Sequence, residues 1–153
     1  MSQGLKKGFV GMVWIISAAV MPACSPSAVA EPAVLPLEEN VRTVSIERDG
    51  ETADCGNKEQ IGELLSILSD MEPTDQQSVQ DVPQAAEYTS IHFGDTEGRV
   101  YTIFYYEMDG RAYAEQSYQG IYEPAPALGV LLDDLLEAGE AALNDRIPMV
   151  MAG

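Results

Sequence analysis

The sequence is poor in the residues that most metal and nucleic-acid sites need. It has one histidine, two cysteines and only eight Lys and Arg residues against 25 Asp and Glu residues, for a formal net charge of −17. A zinc site of the His and Cys type needs three or four ligands. Phosphate binding needs clustered basic side chains. We therefore expect no metal, no cofactor and no nucleic-acid partner.

The common catalytic motifs are also missing. The sequence contains no G-x-x-x-x-G-K-[ST], G-x-S-x-G or H-E-x-x-H motif and no calcium loop of the D-x-D-x-D-G type. His92 is the single histidine, and nothing in its neighbourhood predicts a partner for it. We expect no catalytic residues, with a small hydrolase that uses carboxylates and His92 as the alternative.

The apolar run near the N-terminus is short. It covers residues 9–20, whereas a membrane-spanning helix needs about 20 apolar residues. Lys6 and Lys7 precede the run, and a basic start followed by a short apolar core is typical of a secretory signal. We therefore predict a signal peptide over residues 1–23.

The residues after this run resemble a lipid-attachment site. Met21-Pro22-Ala23-Cys24 is similar to the lipobox of bacterial lipoproteins, which implies cleavage before Cys24 and diacylation of its thiol. Two acyl chains give stable membrane attachment. We expect an exported protein anchored to the outer face of the cytoplasmic membrane through Cys24. The alternatives are cleavage after Ala30, which gives a secreted protein, and an uncleaved anchor.

Residues 24–40 are predicted to be a tether that follows the lipidated cysteine. Pro26, Pro32 and Pro36 interrupt regular structure, and most other residues are small or acidic. Beyond residue 23 the chain has six basic and 25 acidic residues, a formal net charge of −19. We interpret this charge as a solvated surface, with attraction to a basic partner or to divalent cations as the alternative.

Cys55 has no intramolecular partner if Cys24 is acylated. An unpaired cysteine outside the cell is buried, reactive or paired with another chain, and we expect Cys55 to be buried. Without acylation, a Cys24–Cys55 disulfide is the alternative.

Residues 41–144 are predicted to form one α+β domain. A β-rich run over 41–47 ends at Asp49-Gly50, which is a tight-turn signal, and 51–55 follows as a short second strand. Asn57 is a predicted N-cap of a helix over 58–70. The apolar stripe of this helix is Ile61, Leu64, Leu65 and Leu68.

The second half of the domain is predicted to be a strand meander followed by a helix. Residues 72–86 are a predicted loop, and 87–93, 99–107 and 111–116 are predicted strands. Pro124 and Pro126 suit the first turn of a helix that continues to Leu143. We expect an antiparallel sheet of 4–5 strands with two helices packed on one face, in the order β(β)αβββα, and a flexible tail over 145–153.

The segment 115–123, EQSYQGIYE, carries a family resemblance. It resembles the E-Q-P-Y-Q-G-I-Y signature of an uncharacterised extracytoplasmic domain family of Firmicutes, with Ser117 in place of the usual proline. The runs 78–83 and 105–110 are also similar to that family. Its members are small lipoproteins or C-terminal modules of membrane metallopeptidases of the beta-lactam-sensor type. The resemblance implies a location and a domain type, not a reaction.

The same segment supplies the candidate binding residues. All seven tyrosines lie between residues 88 and 122, and tyrosine suits partner surfaces, although strands also favour aromatic residues. Glycine permits a close backbone approach. The candidates are Gln116, Tyr118, Gln119, Gly120 and Tyr122. The alternative is a structural bend into the last helix.

These patterns together predict a membrane-anchored, non-catalytic binding or sensing module. Its expected partners are the membrane, through the diacyl group on Cys24, and an envelope protein or peptide. The alternatives are the small hydrolase and a purely structural spacer.

Overall fold

The computed structural model describes residues 29–146, without the side chain of Arg146. Within this range a 3₁₀ turn, Glu38–Asn40, precedes two helices, α1 (Lys58–Ser69) and α2 (Ala127–Arg146). The strands are β1 (Val41–Arg48), β2 (Glu51–Asp54), β3 (Glu72–Pro73), β4 (Thr89–Asp95), β5 (Val100–Met108), β6 (Arg111–Gln116) and β7 (Gly120–Glu123).

The strands form one sheet in the order β2-β1-β4-β5-β6-β7-β3, and each neighbouring pair is antiparallel. The α+β class and the two helices are confirmed. The predicted count of 4–5 strands is too low, since the sheet has seven. The strands missed are β3 and β7, which have two and four residues and are too short to show a clear alternation of polar and apolar residues.

Both helices contribute to the core on one face of the sheet. Asn57 caps α1, because its side-chain oxygen accepts the backbone N–H of Glu59 at 2.9 Å. Alternate residues of the central strands point toward the helices, as the period of a strand requires. Fully buried members of this core are Val44, Ile46, Ile91, Phe93, Ile103, Leu64, Leu68, Leu128 and Leu132.

Residues 30–37 form an irregular segment that packs against the domain, and we call it the N-terminal strap. Ala30 is 4% exposed, and its backbone N–H donates to the carbonyl oxygen of Thr74 at 2.9 Å. Pro36 is buried, and Leu35 packs against the core. The predicted tether over 24–40 therefore does not hold for the strap, and the predicted domain boundary at Val41 lies inside the packed unit.

The loop over residues 74–88 covers part of the opposite face of the sheet. Ser78 and Pro83 of this loop are buried. The ring of Tyr88 meets that of Phe104 edge-on, with centroids 5.5 Å apart. This loop therefore packs against the sheet, although its polar sequence and two prolines resemble those of a solvated connection.

Several predictions concern residues beyond the described range. The signal peptide, Cys24 and most of the tail lie there, whereas α2 continues through the first two residues of the predicted tail, to Arg146. Within residues 29–146 neither helix is both long enough and apolar enough to cross a membrane.

Cys55 is buried, as expected. Burial raises the pKa of its thiol, and a hydrogen bond from the backbone of Asn57 offsets this only in part. The reactive form of cysteine is the thiolate. The raised pKa therefore keeps Cys55 in its less reactive form.

The β4–β5 turn is organised around the carboxylate of Asp95. Its Oδ1 accepts the backbone N–H groups of Glu97 and Arg99 at 2.8 and 2.9 Å, and the Arg99 Nε donates to Oδ2 at 2.8 Å. Burial raises the pKa of Asp95, but these hydrogen bonds outweigh it and hold the pKa below the ordinary value of 3.8. The ionised form therefore stabilises the turn.

We predict that Asp95→Asn removes a pH-dependent part of the stability. Because the folded-state pKa is lowered, the contribution of Asp95 is present above about pH 4 and fades as the pH falls through the folded-state pKa. The free energy of unfolding, measured with urea at pH 7, 5 and 3, should differ most between the wild type and the variant at pH 7. Asp54→Asn, at an exposed position of β2, is the control. An equal difference at pH 7 and pH 3 would contradict the prediction.

Candidate functional site

The EQSYQGIYE segment forms the hairpin of β6 and β7. The turn closes where the backbone N–H of Gln119 donates to the carbonyl oxygen of Gln116 at 3.0 Å. Tyr118 takes a left-handed backbone angle, with φ of 61°, which is uncommon for a residue other than glycine. Its side chain is 64% exposed, and its hydroxyl donates to the Asp81 carboxylate at 2.8 Å.

Gln116 binds the strap through both ends of its side-chain amide. The backbone N–H of Val34 donates to Oε1 at 2.7 Å, and Nε2 donates back to the Val34 carbonyl oxygen at 2.9 Å. The Gln116 amide therefore pairs with both the backbone N–H and the backbone carbonyl of Val34, in the way that a residue of a neighbouring strand would. Its hydrogen-bonding capacity on that side is used within the domain.

Gly120 and Tyr122 also hold the strap. The Tyr122 side chain is buried, and its hydroxyl donates to the Glu31 carbonyl oxygen at 2.5 Å. A Cβ at Gly120 would overlap that of Ala30 and lie 3.2 Å from the Tyr122 hydroxyl. Glycine permits a close approach here, as the sequence suggested, but the approaching group is the strap.

The five candidate binding residues therefore divide into two sets. Gln116, Gly120 and Tyr122 are buried against the strap, which is a structural role different from the bend into the last helix that the sequence offered as the alternative. Tyr118 is exposed, and Gln119 is half-buried. Only these two can offer a side chain to a partner without movement of the strap.

Glu115 is a further residue with a structural role, and the sequence did not single it out. It is 1% exposed, and the hydroxyls of Ser78 and Tyr106 donate to its two oxygens at 2.6 and 3.2 Å. A buried charge is costly unless it is hydrogen-bonded. Burial, followed by the charge of Glu115, raises the pKa of Tyr106, which keeps that hydroxyl protonated as a donor.

A signal for this cluster is present in the strand pattern. Glu115 lies in β6 between Ala114 and Gln116, so its side chain points to the face opposite to the helices. A charged residue flanked by apolar strands predicts either a solvated position or a buried one with partners. The fold decides between them, because the 74–88 loop covers the position.

A concave surface of about 470 Å³ lies beside the motif turn, and we call it the motif groove. Val100 is 67% exposed, and Val34 of the strap is 47% exposed. The groove is therefore apolar at its mouth, with one carboxylate at its edge. Its lining includes Val34, Asp81, His92, Val100, Phe104 and Gln119.

His92 lies in the motif groove but has no carboxylate partner among the described residues. Its Nδ1 lies 3.0 Å from the hydroxyl oxygen of Thr102, the cross-strand neighbour of His92. A general base is normally oriented by a further polar group and faces the reacting proton. In residues 29–146, no three or more His, Cys, Asp and Glu side chains are grouped to hold a metal ion.

A family model, DUF5301, described as a domain of unknown function (DUF5300), matches residues 29–123. The chain belongs to the DUF5301 family. This confirms the expectation of an uncharacterised domain family. The DUF5301 match begins next to the strap and ends at Glu123, the last residue of β7, so the strap is part of the family domain.

A solved structure shows a similar fold. The NMR structure of a protein from Ruminococcus gnavus is 37% identical in sequence, with a TM-score of 0.53, and the match covers 59% of this chain and 88% of that one. No curated protein gives a significant match.

We predict that Gly120→Ala destabilises the DUF5301 domain. The added Cβ must displace the strap, and overpacking of this kind costs about 1–3 kcal/mol. Urea unfolding measures the loss, and limited proteolysis at residues 30–37 shows whether the strap is released. Gly56→Ala is the control, because nothing lies within 4 Å of a Cβ there. Equal effects of the two substitutions would contradict the prediction.

Proposed function

We propose that this DUF5301 chain is an exported lipoprotein, anchored to the outer face of the cytoplasmic membrane through Cys24, whose domain is a non-catalytic binding or sensing module. The observation that carries the binding role is the motif groove, where exposed apolar side chains and one carboxylate surround a concave surface. The anchor rests on the order of basic start, short apolar run and lipobox-like residues in the sequence.

The strap limits how far the domain can lie from such an anchor. The chain first packs against the domain at Ala30. Six peptide units separate Cys24 from Ala30, and they can span at most about 20 Å. The module therefore acts close to the membrane surface rather than at the end of a long spacer.

The occupant that suits the motif groove is an extended, basic segment of an envelope protein with an apolar side chain. The apolar side chain would cover Val100 and Val34, the most exposed apolar residues of the groove. A basic segment would be drawn by the carboxylate of Asp81 and by the formal charge of −19 beyond residue 23. Charge complementarity of this kind raises the association rate and disfavours acidic competitors.

We predict that Cys24→Ala abolishes lipid incorporation and releases the protein from membranes. The test is labelling with an alkyne fatty acid in a bacterial host, followed by fractionation. Cys55→Ala is the control, because it removes the other cysteine and should leave labelling unchanged. A mature N-terminus at Glu31, found by mass spectrometry, would show cleavage after Ala30 and would overturn the anchor. Such a cut would also remove the alanine that packs on Gly120.

We predict that Val100→Lys weakens binding of a basic peptide to the motif groove by about tenfold, because it replaces an apolar contact with a like charge. The probe is a ten-residue lysine-rich peptide with two central leucines. A peptide of equal charge without leucine tests the apolar contribution. Binding is measured by fluorescence anisotropy on the full chain in zwitterionic detergent.

Met108→Lys is the matched control, because Met108 is 50% exposed at the other end of β5. It should change the affinity less than about twofold, as expected for a charge outside the contact surface. An equal loss of affinity in both variants would show that the peptide is held by general charge attraction. It would overturn the proposal that the peptide binds in the motif groove. The absence of binding to the leucine peptide would favour the structural spacer.

A further inference from the structure

A second cleft, which we call the hairpin notch, lies at the end of β5 opposite to the motif groove. It has a volume of about 420 Å³ and shares no lining residue with that groove. The notch lies between the β1–β2 turn, the start of β4, the end of β5 and the first turns of α2. Its lining includes Arg48, Tyr88, Tyr105, Glu107, Val130 and Asp133.

The notch arises from unequal strand lengths. The β4–β5 ladder begins at Thr89, which pairs with Tyr105. β5 continues to Met108 and pairs there with β6 alone. The β5–β6 hairpin therefore projects past the start of β4, and α2 closes one side of the resulting gap.

Gly129 brings α2 against the aromatic floor of the notch. A Cβ at this position would lie 2.6 Å from the Tyr105 hydroxyl oxygen. Glycine inside a helix costs up to about 1 kcal/mol relative to alanine. The close approach of the helix to the Tyr105 ring thus depends on a residue that otherwise weakens the helix.

Arg48, the one basic side chain in the lining, is already held by other groups. Its Nη1 lies 2.6 Å from the Asp133 carboxylate, and its Nε donates to the Thr89 hydroxyl at 2.7 Å. The notch also has three further carboxylates, and none of them takes part in an ion pair within residues 29–146. The lining therefore has a formal excess of three negative charges, from Asp49, Glu87 and Glu107.

The aromatic rings supply the second component of the site. Tyr88, Tyr105 and Tyr106 all line the notch, and the Tyr105 hydroxyl donates to Glu107 at 3.2 Å. A cation that lies over a tyrosine ring is attracted by its negative face. The exposed Val130 and the neighbouring Pro126 offer an apolar wall along which methylene groups can pack.

We propose that the hairpin notch binds an alkylammonium group, presented by a polyamine or by a lysine side chain of a peptide. The methylene chain packs against Val130 and the tyrosine rings, and the ammonium group lies among Glu87, Glu107 and Asp49. Within residues 29–146 these carboxylates are not grouped as three or more ligands of a metal ion. That arrangement suits a cation on a flexible chain better than a metal ion, which needs several oxygen ligands within about 2.6 Å. The site does not depend on the proposed anchor or on the motif groove.

Val130→Arg tests the notch without disturbing the core, because Val130 is 64% exposed. The arginine places a cation at the mouth of the notch. The probes are spermidine and a capped lysine tripeptide, titrated into the full chain in zwitterionic detergent at 150 mM salt and followed by the amide NMR signals of Gly129 and Val130. The dissociation constant should rise by about tenfold or more in this variant.

Leu143→Arg is the matched control, because Leu143 is also 64% exposed on α2 and lies outside the notch lining. It should change the dissociation constant less than about twofold. Saturation by spermidine alone identifies a polyamine site, and saturation by the tripeptide identifies a lysine site. The proposal is overturned if neither probe saturates, if both variants weaken binding equally, or if magnesium displaces the probes more strongly than sodium chloride of equal ionic strength does.

Discussion

The position of the N-terminal strap depends on the exchange of two hydrogen bonds between the Gln116 amide and the backbone of Val34. These bonds hold an irregular, proline-containing segment against the sheet, where no regular strand pairing is available to it. With the strap in position, Tyr122 is covered, Gly120 meets Ala30, and Val34 forms one wall of the motif groove. The motif is therefore chiefly a device for holding the start of the domain, and the surface that remains for partners is a product of that attachment.

Adjacent residues of β6 organise both faces of the sheet. Gln116 points to the helix-covered face and holds the strap. Glu115 points to the other face and accepts hydrogen bonds from one hydroxyl of the 74–88 loop and one of β5. Alternation along one strand thus attaches two segments that are far apart in sequence. The buried charge of Glu115 is satisfied by neutral donors, so its role needs Ser78 and Tyr106 in place rather than a basic partner.

The parts of the fold that follow a clear period were predictable from the sequence. The α1 stripe with its Asn57 cap and the strands of the meander are examples, because period and capping are local properties. The strap was not predictable, since the prolines and small residues that indicate a linker also suit an extended segment packed on a sheet. The candidate site was found only in part. The motif indicated the correct hairpin, but burial of Gln116, Gly120 and Tyr122 depends on the strap, which lies 82 residues upstream at the Gln116 contact and 91 at the Tyr122 contact.

The strap also has a mechanical consequence. In a chain anchored at Cys24, as proposed, any tension between membrane and domain enters the fold at Ala30. The first hydrogen bonds to bear this load are then the one from the Ala30 N–H to the Thr74 carbonyl oxygen and the one from the Tyr122 hydroxyl to the Glu31 carbonyl oxygen. The bonds of the Gln116 amide with Val34 follow. Bonds met in sequence break one after another, so the strap would peel before the sheet yields. In such a chain, release of the strap would also remove Val34 from the wall of the motif groove.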